Sequence, residues 1–244
     1  MRPAVITPCF DESAEVLNAC HESVRSQSVE SMHFFVSDGS LKSASIPQSR
    51  NAIRLDLPRN FADNGNTPRA LGSVMAIAMN FNPIFLLDAD NWYSSDHIEN
   101  ALDLKRQQPS LDVVFSSRKI VLDDGTIFSD APEDRDQSFA DTSTMCFFES
   151  SYKILPLFSF IPKALSPVCD RIIFKTILAF GCRVAWTGIP SLFFRSHYLN
   201  HYLLAGRQPL EPLHDPDWAA LSNSLKQELP SYCSKAGVEI KSFL

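Results

Sequence analysis

In the stretch Ile84-Phe85-Leu86-Leu87-Asp88-Ala89-Asp90-Asn91, four apolar residues run directly into two carboxylates. A short continuous apolar run is typical of a strand that is buried on both faces, as in a parallel sheet. In open α/β sheets, ligands bind beside the carboxyl ends of such strands. The stretch therefore predicts a central strand at 84–87 that brings Asp88 and Asp90 to a binding edge.

Short apolar runs and amphipathic stretches alternate through the first half of the chain. This pattern is typical of α/β proteins, in which parallel strands are joined by covering helices. The other strands that it predicts here lie at 4–7, 34–37 and 53–57.

Helical spacing of apolar residues predicts three helices in this half, at about 14–26, from Thr67 onward, and at 96–107. Thr67 is expected to cap the second helix, with Pro68 at its first position. Leu71, Val74 and Ala78 are expected on its buried face. Asp96 and Glu99 have the spacing of a capping box for the third helix.

The pattern changes after Pro109. Two apolar runs flank Asp124-Gly125, a tight-turn signal, so a hairpin is expected and the sheet should become mixed. The acidic segment 129–141 reads as a solvated loop or a mobile lid. Further predictions are a helix at 170–180 closed by Gly181 and strands at 183–186 and 192–194.

Two later segments have no regular pattern. Residues 155–162 are apolar but interrupted by prolines, which disfavours a regular helix. They are expected to pack on the core, to cover the acceptor, or to rest on a membrane surface that carries a lipid-linked acceptor. The tail from about residue 198 carries no motif with a clear meaning.

Composition excludes several classes of protein. The net charge of -6, with no cluster of Lys and Arg, argues against a nucleic-acid partner. No segment has the length and apolar character of a membrane span, and the N-terminus lacks a signal-peptide pattern. The six scattered cysteines read as reduced thiols. We therefore expect a cytoplasmic protein, with peripheral contact at the inner membrane face left open.

The two carboxylates Asp88 and Asp90 suit a hard cation, Mn2+ or Mg2+, that bridges a diphosphate. An acidic protein that binds an anionic ligand needs such a cation or well-placed arginines. The alternative is that both carboxylates cap a following helix. Asp38 ends another predicted strand and could orient a base or ribose, or it could simply belong to a structural Asp-Gly turn.

Several segments, taken together, resemble the family 2 glycosyltransferases of the GT-A fold, which has a Rossmann-like, mixed but mostly parallel sheet. They cover about residues 3–200, and the tail lies outside the resemblance. The segments are Thr7-Pro8, Val36-Ser37-Asp38-Gly39-Ser40, Arg69-Ala70, Leu87-Asp88-Ala89-Asp90, Val168-Cys169-Asp170-Arg171, Gly181-Cys182-Arg183-Val184 and Phe194-Arg195-Ser196-His197.

The resemblance implies a role for each matching residue. Asp170, which precedes a helix, corresponds to the catalytic base. Asp90 and His197 correspond to metal ligands, with Asp88 assisting directly or through the ribose or a water. The residues that would hold the nucleotide-sugar are Thr7, Pro8, Phe10, Glu12, Asp38, Arg69, Asp88 and Ala89.

The sequence departs from the family pattern at three points. Cys169 stands where a Glu usually precedes the base, and Asp11 stands where the first segment commonly ends in Asn. The Gln-x-x-Arg-Trp signature of processive polysaccharide synthases is absent, which favours a single transfer. His197 and His201 have a spacing compatible with zinc, but no third ligand accompanies them in the sequence.

The resemblance implies an inverting, metal-dependent transferase in glycan or polysaccharide biosynthesis. Its donor would be a UDP-sugar, and its acceptor a saccharide, a lipid-linked molecule or another hydroxyl compound. The alternatives are a nucleotidyltransferase and an inactive nucleotide-sugar-binding protein. The first should have glycine and basic residues in its entry loop, and positions 8–13 have neither, which counts against it. The expected organisation is a GT-A domain at 1–200 and an extension at 201–244 that packs on it.

Two segments near the proposed site keep alternative interpretations. Trp92 would flank the sugar or the acceptor, or be buried in the core. Residues 141–145 would form a strand edge whose hydroxyls touch the donor or the acceptor, or have a purely structural role.

Overall fold

The computed structural model describes residues 1–39, 46–128, 139–209, 213 and 217–240. Nine strands form one sheet in this part of the chain. They are β1 (Ala4–Cys9), β2 (Met32–Ser37), β3 (Ala52–Asp56), β4 (Ile84–Leu86), β5 (Trp92–Tyr93), β6 (Val113–Val121), β7 (Ile127–Phe128), β8 (Met145–Phe147) and β9 (Val184–Arg195).

Six α-helices accompany the sheet in the described residues. They are α1 (Ala14–Arg25), α2 (Asn66–Ala78), α3 (His97–Gln107), α4 (Cys169–Ala179), α5 (Leu199–Leu204) and α6 (Trp218–Ala236). There are also three 3-10 segments. Thr142–Thr144 precedes β8, and Glu149–Phe160 and Lys163–Val168 lie between β8 and α4. The irregular helix at Glu149–Phe160 contains Pro156, in agreement with the expected absence of a regular helix there.

The sheet has the strand order β3-β2-β1-β4-β8-β6-β9-β5, with β7 paired to β6. The first four strands are parallel, β8 is antiparallel to both of its neighbours, and β9 is parallel to β6. The predicted mixed, mostly parallel α/β sheet is therefore confirmed. In this arrangement β1, β2, β4, β6 and β9 all point their carboxyl ends to the same edge.

The predicted central strand is buried on both faces. Phe85 and Leu87 belong to a cluster with residues of α1 and α3, whereas Ile84 and Leu86 belong to a second cluster with residues of α2 and α4. Because alternate residues of a strand point to opposite faces, this short apolar run joins both layers of the core.

Helix α2 buries the face opposite to the expected one. Leu71, Val74, Met75 and Met79 are 40–45% exposed, while Gly72 and its small neighbours face the sheet. A Cβ atom at Gly72 would lie 2.6 Å from a methyl of Val36 and 2.7 Å from one of Ile6. The helix lies so close to the sheet that small residues are required at the contact, which turns the large ones outward.

Both predicted helix caps are wrong in detail. Helix α2 starts at Asn66 behind a left-handed Gly65, and Thr67 donates its hydroxyl and its backbone N–H to Asp63. Asp96 makes no capping hydrogen bond with its side chain, because it accepts one from Ser94 instead. Glu99 accepts a hydrogen bond from Ser28, so no capping box forms.

In the second half, the hairpin is confirmed by the antiparallel pairing of Ile120 with Phe128. The two strands expected at 183–186 and 192–194 form one strand, β9, whose pairing with β6 shifts register near Ser117. The segment 142–144 is a short 3-10 turn before β8 rather than part of a strand. Most of the acidic segment, 129–138, lies outside the described residues.

Helix α6 packs on the same core as the rest of the chain. Leu221, Leu225 and Tyr232 belong to the cluster that contains α2 and α4, and the Tyr232 hydroxyl lies 2.8 Å from that of Thr176. Among the described residues, no helix combines the length and the apolar character that crossing a membrane requires.

Candidate active site

The acidic turn after β4 is held by a buried arginine. Arg69 forms an ion pair with Asp88, and its guanidinium also donates to the Asn64 carbonyl at 2.6 Å. Burial of Arg69 disfavours its charge, but the Asp88 carboxylate outweighs burial, and the pKa of Arg69 is raised. Since Asp88 bonds Arg69, the positive charge near the turn is already fixed in place.

Asp90 and His197 meet at this edge although 107 positions separate them in the sequence. The Asp90 Oδ2 atom lies 3.3 Å from the His197 Nε2 atom, and both side chains are partly exposed. The hydrogen bond to Asp90 raises the pKa of His197. This places the two proposed metal ligands side by side at the ends of β4 and β9.

Ser143 and Asn91 connect the acidic turn to its neighbours. The buried Ser143 hydroxyl accepts hydrogen bonds from the Asp88 backbone N–H at 3.0 Å and from the Asn91 side chain at 3.1 Å. The Asn91 amide oxygen accepts from the Arg195 backbone N–H at 2.9 Å. The sequence carries no signal for this role of Asn91, and it predicts contact with the donor or the acceptor for the hydroxyls of 141–145.

A cavity of about 380 Å³ opens beside the turn. Arg69 and Asp88 line it together with Asp170, at the start of α4. Asp90 and His197 do not line it, although their neighbours Asp88 and Tyr198 do. The cavity thus brings the proposed base to the buried ion pair, and the Asp90–His197 pair lies outside its wall.

The Asp170 carboxylate is half-buried and accepts a hydrogen bond from the Arg171 backbone N–H at 2.7 Å. Burial raises the pKa of Asp170 to about 6, against the lowering effect of this hydrogen bond and of nearby arginines. Such a carboxylate is still mostly ionised at pH 7 and is a stronger base than an exposed aspartate. These properties suit a general base.

A further carboxylate, Asp141, is buried and lines the same cavity. It lies 3.6 Å from the Arg118 guanidinium and caps the turn at Ser143 through a 2.8 Å hydrogen bond. Burial raises the pKa of Asp141 to about 7, and the charges of Asp88 and Asp170 add to this effect. The sequence placed Asp141 in a solvated loop, which is wrong for this residue because it is 7% exposed.

Two of the residues proposed to hold the donor, Thr7 and Pro8, are buried in β1. The Thr7 hydroxyl lies 2.8 Å from His33, which in turn contacts His21, so it faces the helix layer rather than the cavity. Pro8 packs against Gly65. The Thr7 and Pro8 side chains therefore shape the strand and do not reach the cavity.

The other proposed donor residues lie at the strand ends. Asp38 is buried and accepts from the Phe61 backbone N–H at 3.0 Å, and burial raises the pKa of Asp38. Glu12 accepts from the Phe10 backbone N–H at 2.7 Å, while the Phe10 ring is 42% exposed. Ala89 is buried within the turn. Phe10 thus offers an exposed face to a ligand, whereas the carboxylates of Asp38 and Glu12 already accept hydrogen bonds from the backbone.

Cys169, at the start of α4, is buried, whereas Trp92 of β5 is half-buried. The Cys169 thiol is buried, and burial raises its pKa to about 12, so it is neutral and does not replace a glutamate charge. Trp92 neither flanks the cavity nor enters the core. It is half-buried and stacks on Phe193, with ring centroids 5.4 Å apart.

Comparison with known proteins identifies the fold. Solved structures of S. aureus TarS share it. Its residues 1–349 in complex with UDP have a TM-score of 0.58 and 16% identity, over 96% of this chain and 72% of that one. The same region in complex with UDP-GlcNAc has a TM-score of 0.60 and 15% identity, over 96% of this chain and 73% of that one. The chain shares the Rossmann-like α/β fold of these structures. No protein-family model matches the sequence, and no curated protein gives a significant sequence match.

The side chains at the ends of β4 and β9 could hold a cation that is shared with a ligand. Among the residues that the structure describes, no three His, Cys, Asp or Glu side chains form a metal cluster. Asp90 and His197 supply one oxygen and one nitrogen, and Asp88 is committed to Arg69. Mg2+ sites of this kind take one or two protein ligands and complete their shell with phosphate oxygens and water. The arrangement therefore fits a metal–diphosphate site rather than a dedicated protein cage. The His201 Nδ1 atom lies 2.7 Å from the Ser196 hydroxyl.

Proposed function

We propose that the protein is an inverting, metal-dependent glycosyltransferase that moves a sugar from a UDP-sugar to a hydroxyl acceptor. One observation carries the proposal: Asp170 lines the same cavity as the Arg69–Asp88 pair, at the ligand-binding edge of a glycosyltransferase fold. A base and an anion-binding group on one cavity are the two elements that a direct displacement requires.

The Asp170 carboxylate takes the proton from the acceptor hydroxyl while that oxygen bonds the anomeric carbon of the sugar. The bond from this carbon to the diphosphate breaks at the same time, so UDP leaves with the electron pair and the configuration inverts. Positioned proton transfer of this kind contributes about 10²- to 10⁴-fold to a rate. With its pKa at about 6, Asp170 is ready to accept a proton at neutral pH.

Arg69 and the Asp90–His197 pair act on the donor side. Arg69, whose charge is balanced by Asp88, would place guanidinium N–H groups next to the diphosphate. Asp90 and His197 would hold Mn2+ or Mg2+, which supplies further positive charge to the departing diphosphate. Two structures with the same fold hold UDP and UDP-GlcNAc, which supports a uridine nucleotide as the ligand.

The test begins with calorimetry of UDP binding in the presence of Mn2+ and again in the presence of EDTA. We expect binding that is at least tenfold weaker with EDTA. Incubation with UDP-GlcNAc and other UDP-sugars then identifies the reaction, because a transferase releases UDP and a nucleotidyltransferase releases pyrophosphate. Binding without turnover over a broad panel of acceptors would instead indicate an inactive nucleotide-sugar-binding protein.

A further inference from the structure

Part of one wall of the cavity is built by α6, which lies outside the glycosyltransferase resemblance. Trp218 and Leu221 of α6 line it, together with Tyr198 before α5. Although they border the cavity, Trp218 is 57% exposed and Tyr198 is 41% exposed. Large aromatic side chains usually gain by burial, so an exposed Trp at the rim of a cavity has an unused apolar face.

Helix α6 holds Trp218 firmly at this position. The Asp217 side chain caps the helix by accepting from the Ala220 backbone N–H at 2.9 Å. One turn later Leu221 enters the core, and Leu225 follows it. The same core cluster contains Leu165 and Val168, in the 3-10 segment that leads into α4 and Asp170. The start of α6, which carries Trp218, is therefore anchored to the core segment that leads to the proposed base.

The lining of this part of the cavity is divided between apolar and polar groups. Trp218 and Leu221 provide apolar surface, whereas Asp170, Arg171 and Asn200 provide hydrogen-bonding groups. A pyranose ring has the matching chemistry, since its C–H face packs on an aromatic ring and its hydroxyls need polar partners. A lipid chain would need a continuous apolar lining, which this cavity lacks.

We propose that the acceptor is a saccharide whose ring packs on Trp218, which makes α6 an acceptor-recognition element. The inference rests on the proposed function and extends it, because it assigns a ligand class to the end of the cavity formed by α6. Trp218 is a specificity-determining residue in this arrangement, and Asp170 remains the group that removes the proton.

Saturation-transfer NMR with three neutral disaccharides, cellobiose, lactose and N,N′-diacetylchitobiose, in the presence of UDP and Mn2+ tests the inference. We expect at least one of them to bind the wild-type protein through ring C–H protons. Trp218→Phe should keep this binding, and Trp218→Ala should weaken it about tenfold. Ile189→Ala removes another exposed apolar side chain, from β9 and outside the cavity lining, and should bind as the wild type does.

Calorimetry with UDP on the same samples distinguishes a failure of the acceptor inference from a failure of the proposed function. If UDP binds but none of the three disaccharides does, the acceptor inference is overturned and the proposed function stands. Equal disaccharide affinity of Trp218→Ala and the wild type would also overturn it. If UDP fails to bind the wild-type protein, the proposed function itself fails. Thermal unfolding of each variant confirms that it is folded, which is expected because Trp218 is largely exposed.

Discussion

The hydroxyl oxygen of Ser143 lies 3.0 Å from the backbone nitrogen of Asp88 and accepts its hydrogen bond. The same oxygen accepts from the Asn91 side chain, so a single buried atom fixes both ends of the acidic turn. Ser143 precedes β8, the strand that pairs with β4 in antiparallel fashion. The turn is therefore positioned by the neighbouring strand as well as by its own sequence.

Replacement of Ser143 by Ala should loosen the turn. The change leaves two donors without a partner, and unsatisfied buried groups cost about 1–3 kcal/mol of folding stability. Because Asp88 and Asp90 lose their fixed placement, we also expect the affinity for UDP with Mn2+ to fall about tenfold. Calorimetry measures the affinity, and hydrogen exchange of the backbone at 88–91 measures the loosening directly, whether or not UDP binds.

Ser151→Ala is the matched control for this prediction. Ser151 is equally buried, and its hydroxyl donates to the carbonyls of Asp112 and Phe148, away from the turn. The control should lose about 1 kcal/mol of stability and keep its affinity for UDP. If both variants lost stability and neither lost affinity, Ser143 would have a structural role alone.

The sequence predicted the parts of the site that follow directly from strand ends. Asp90 and His197 each follow a strand whose carboxyl end meets the same edge of the sheet, so a resemblance in order and spacing was sufficient to place them together. Asp141 could not be placed in this way. It lies buried beside Arg118 of β6, a contact that no local pattern shows, and the polar segment around it reads as a loop.

Helix α2 shows the physical limit of periodicity. Leu71, Val74 and Met75 form an apolar stripe, and such a stripe normally faces the core. The sheet approaches this helix so closely at Gly72 that the larger side chains cannot fit there. Steric fit outweighed hydrophobicity, and no pattern within one helix records how near its neighbour lies.

The two carboxylates of the acidic turn should differ in what they contribute. Asp88→Asn leaves the buried Arg69 without its counter-charge, and breaking a buried ion pair costs about 3 kcal/mol or more. Asp90→Asn should change stability by less than about 0.5 kcal/mol, because exposed pairs contribute little. Urea unfolding of the two variants measures this difference.

The affinity for UDP should also distinguish the two variants. Asp90→Asn, although stable, should lose the Mn2+-dependent part of its affinity for UDP, because it removes one of the two proposed metal ligands. Equal binding of UDP by Asp90→Asn and the wild type, with and without Mn2+, would remove Asp90 from the metal site. An equal loss of stability in both variants would contradict the structural role assigned to Asp88.

Asp170→Asn should abolish turnover while the affinity for UDP remains. The loss expected for a general base is about 10²- to 10⁴-fold in kcat. In the wild type, the rate should fall about tenfold per pH unit below pH 6, because protonation of Asp170, whose pKa is about 6, removes the base. Initial rates of UDP release from pH 4.5 to 8 test this, and turnover near the wild-type level in Asp170→Asn would exclude the assignment.

Stability at mildly acidic pH should depend on His97. This residue is buried, its Nδ1 atom lies 2.9 Å from the Ser191 hydroxyl, and burial lowers its pKa from 6.5 to about 3. Below pH 6.5 the unfolded chain binds a proton that the native protein does not, so the free energy of unfolding falls as the pH decreases. For a single group the loss is about 1 kcal/mol between pH 6 and pH 5.

The variant His97→Gln isolates this contribution, because it keeps a polar partner for Ser191 but does not titrate. Burial shifts the pKa values of Asp141 and Asp170 upward, which opposes the His97 effect, and both groups are present in the two proteins. Their contributions cancel when the variant is subtracted from the wild type. The wild type should therefore lose about 1 kcal/mol relative to His97→Gln between pH 6 and pH 5 in urea unfolding. A constant difference over this interval would mean that His97 takes up its proton in the native protein, and that the layer between α3 and the sheet admits water.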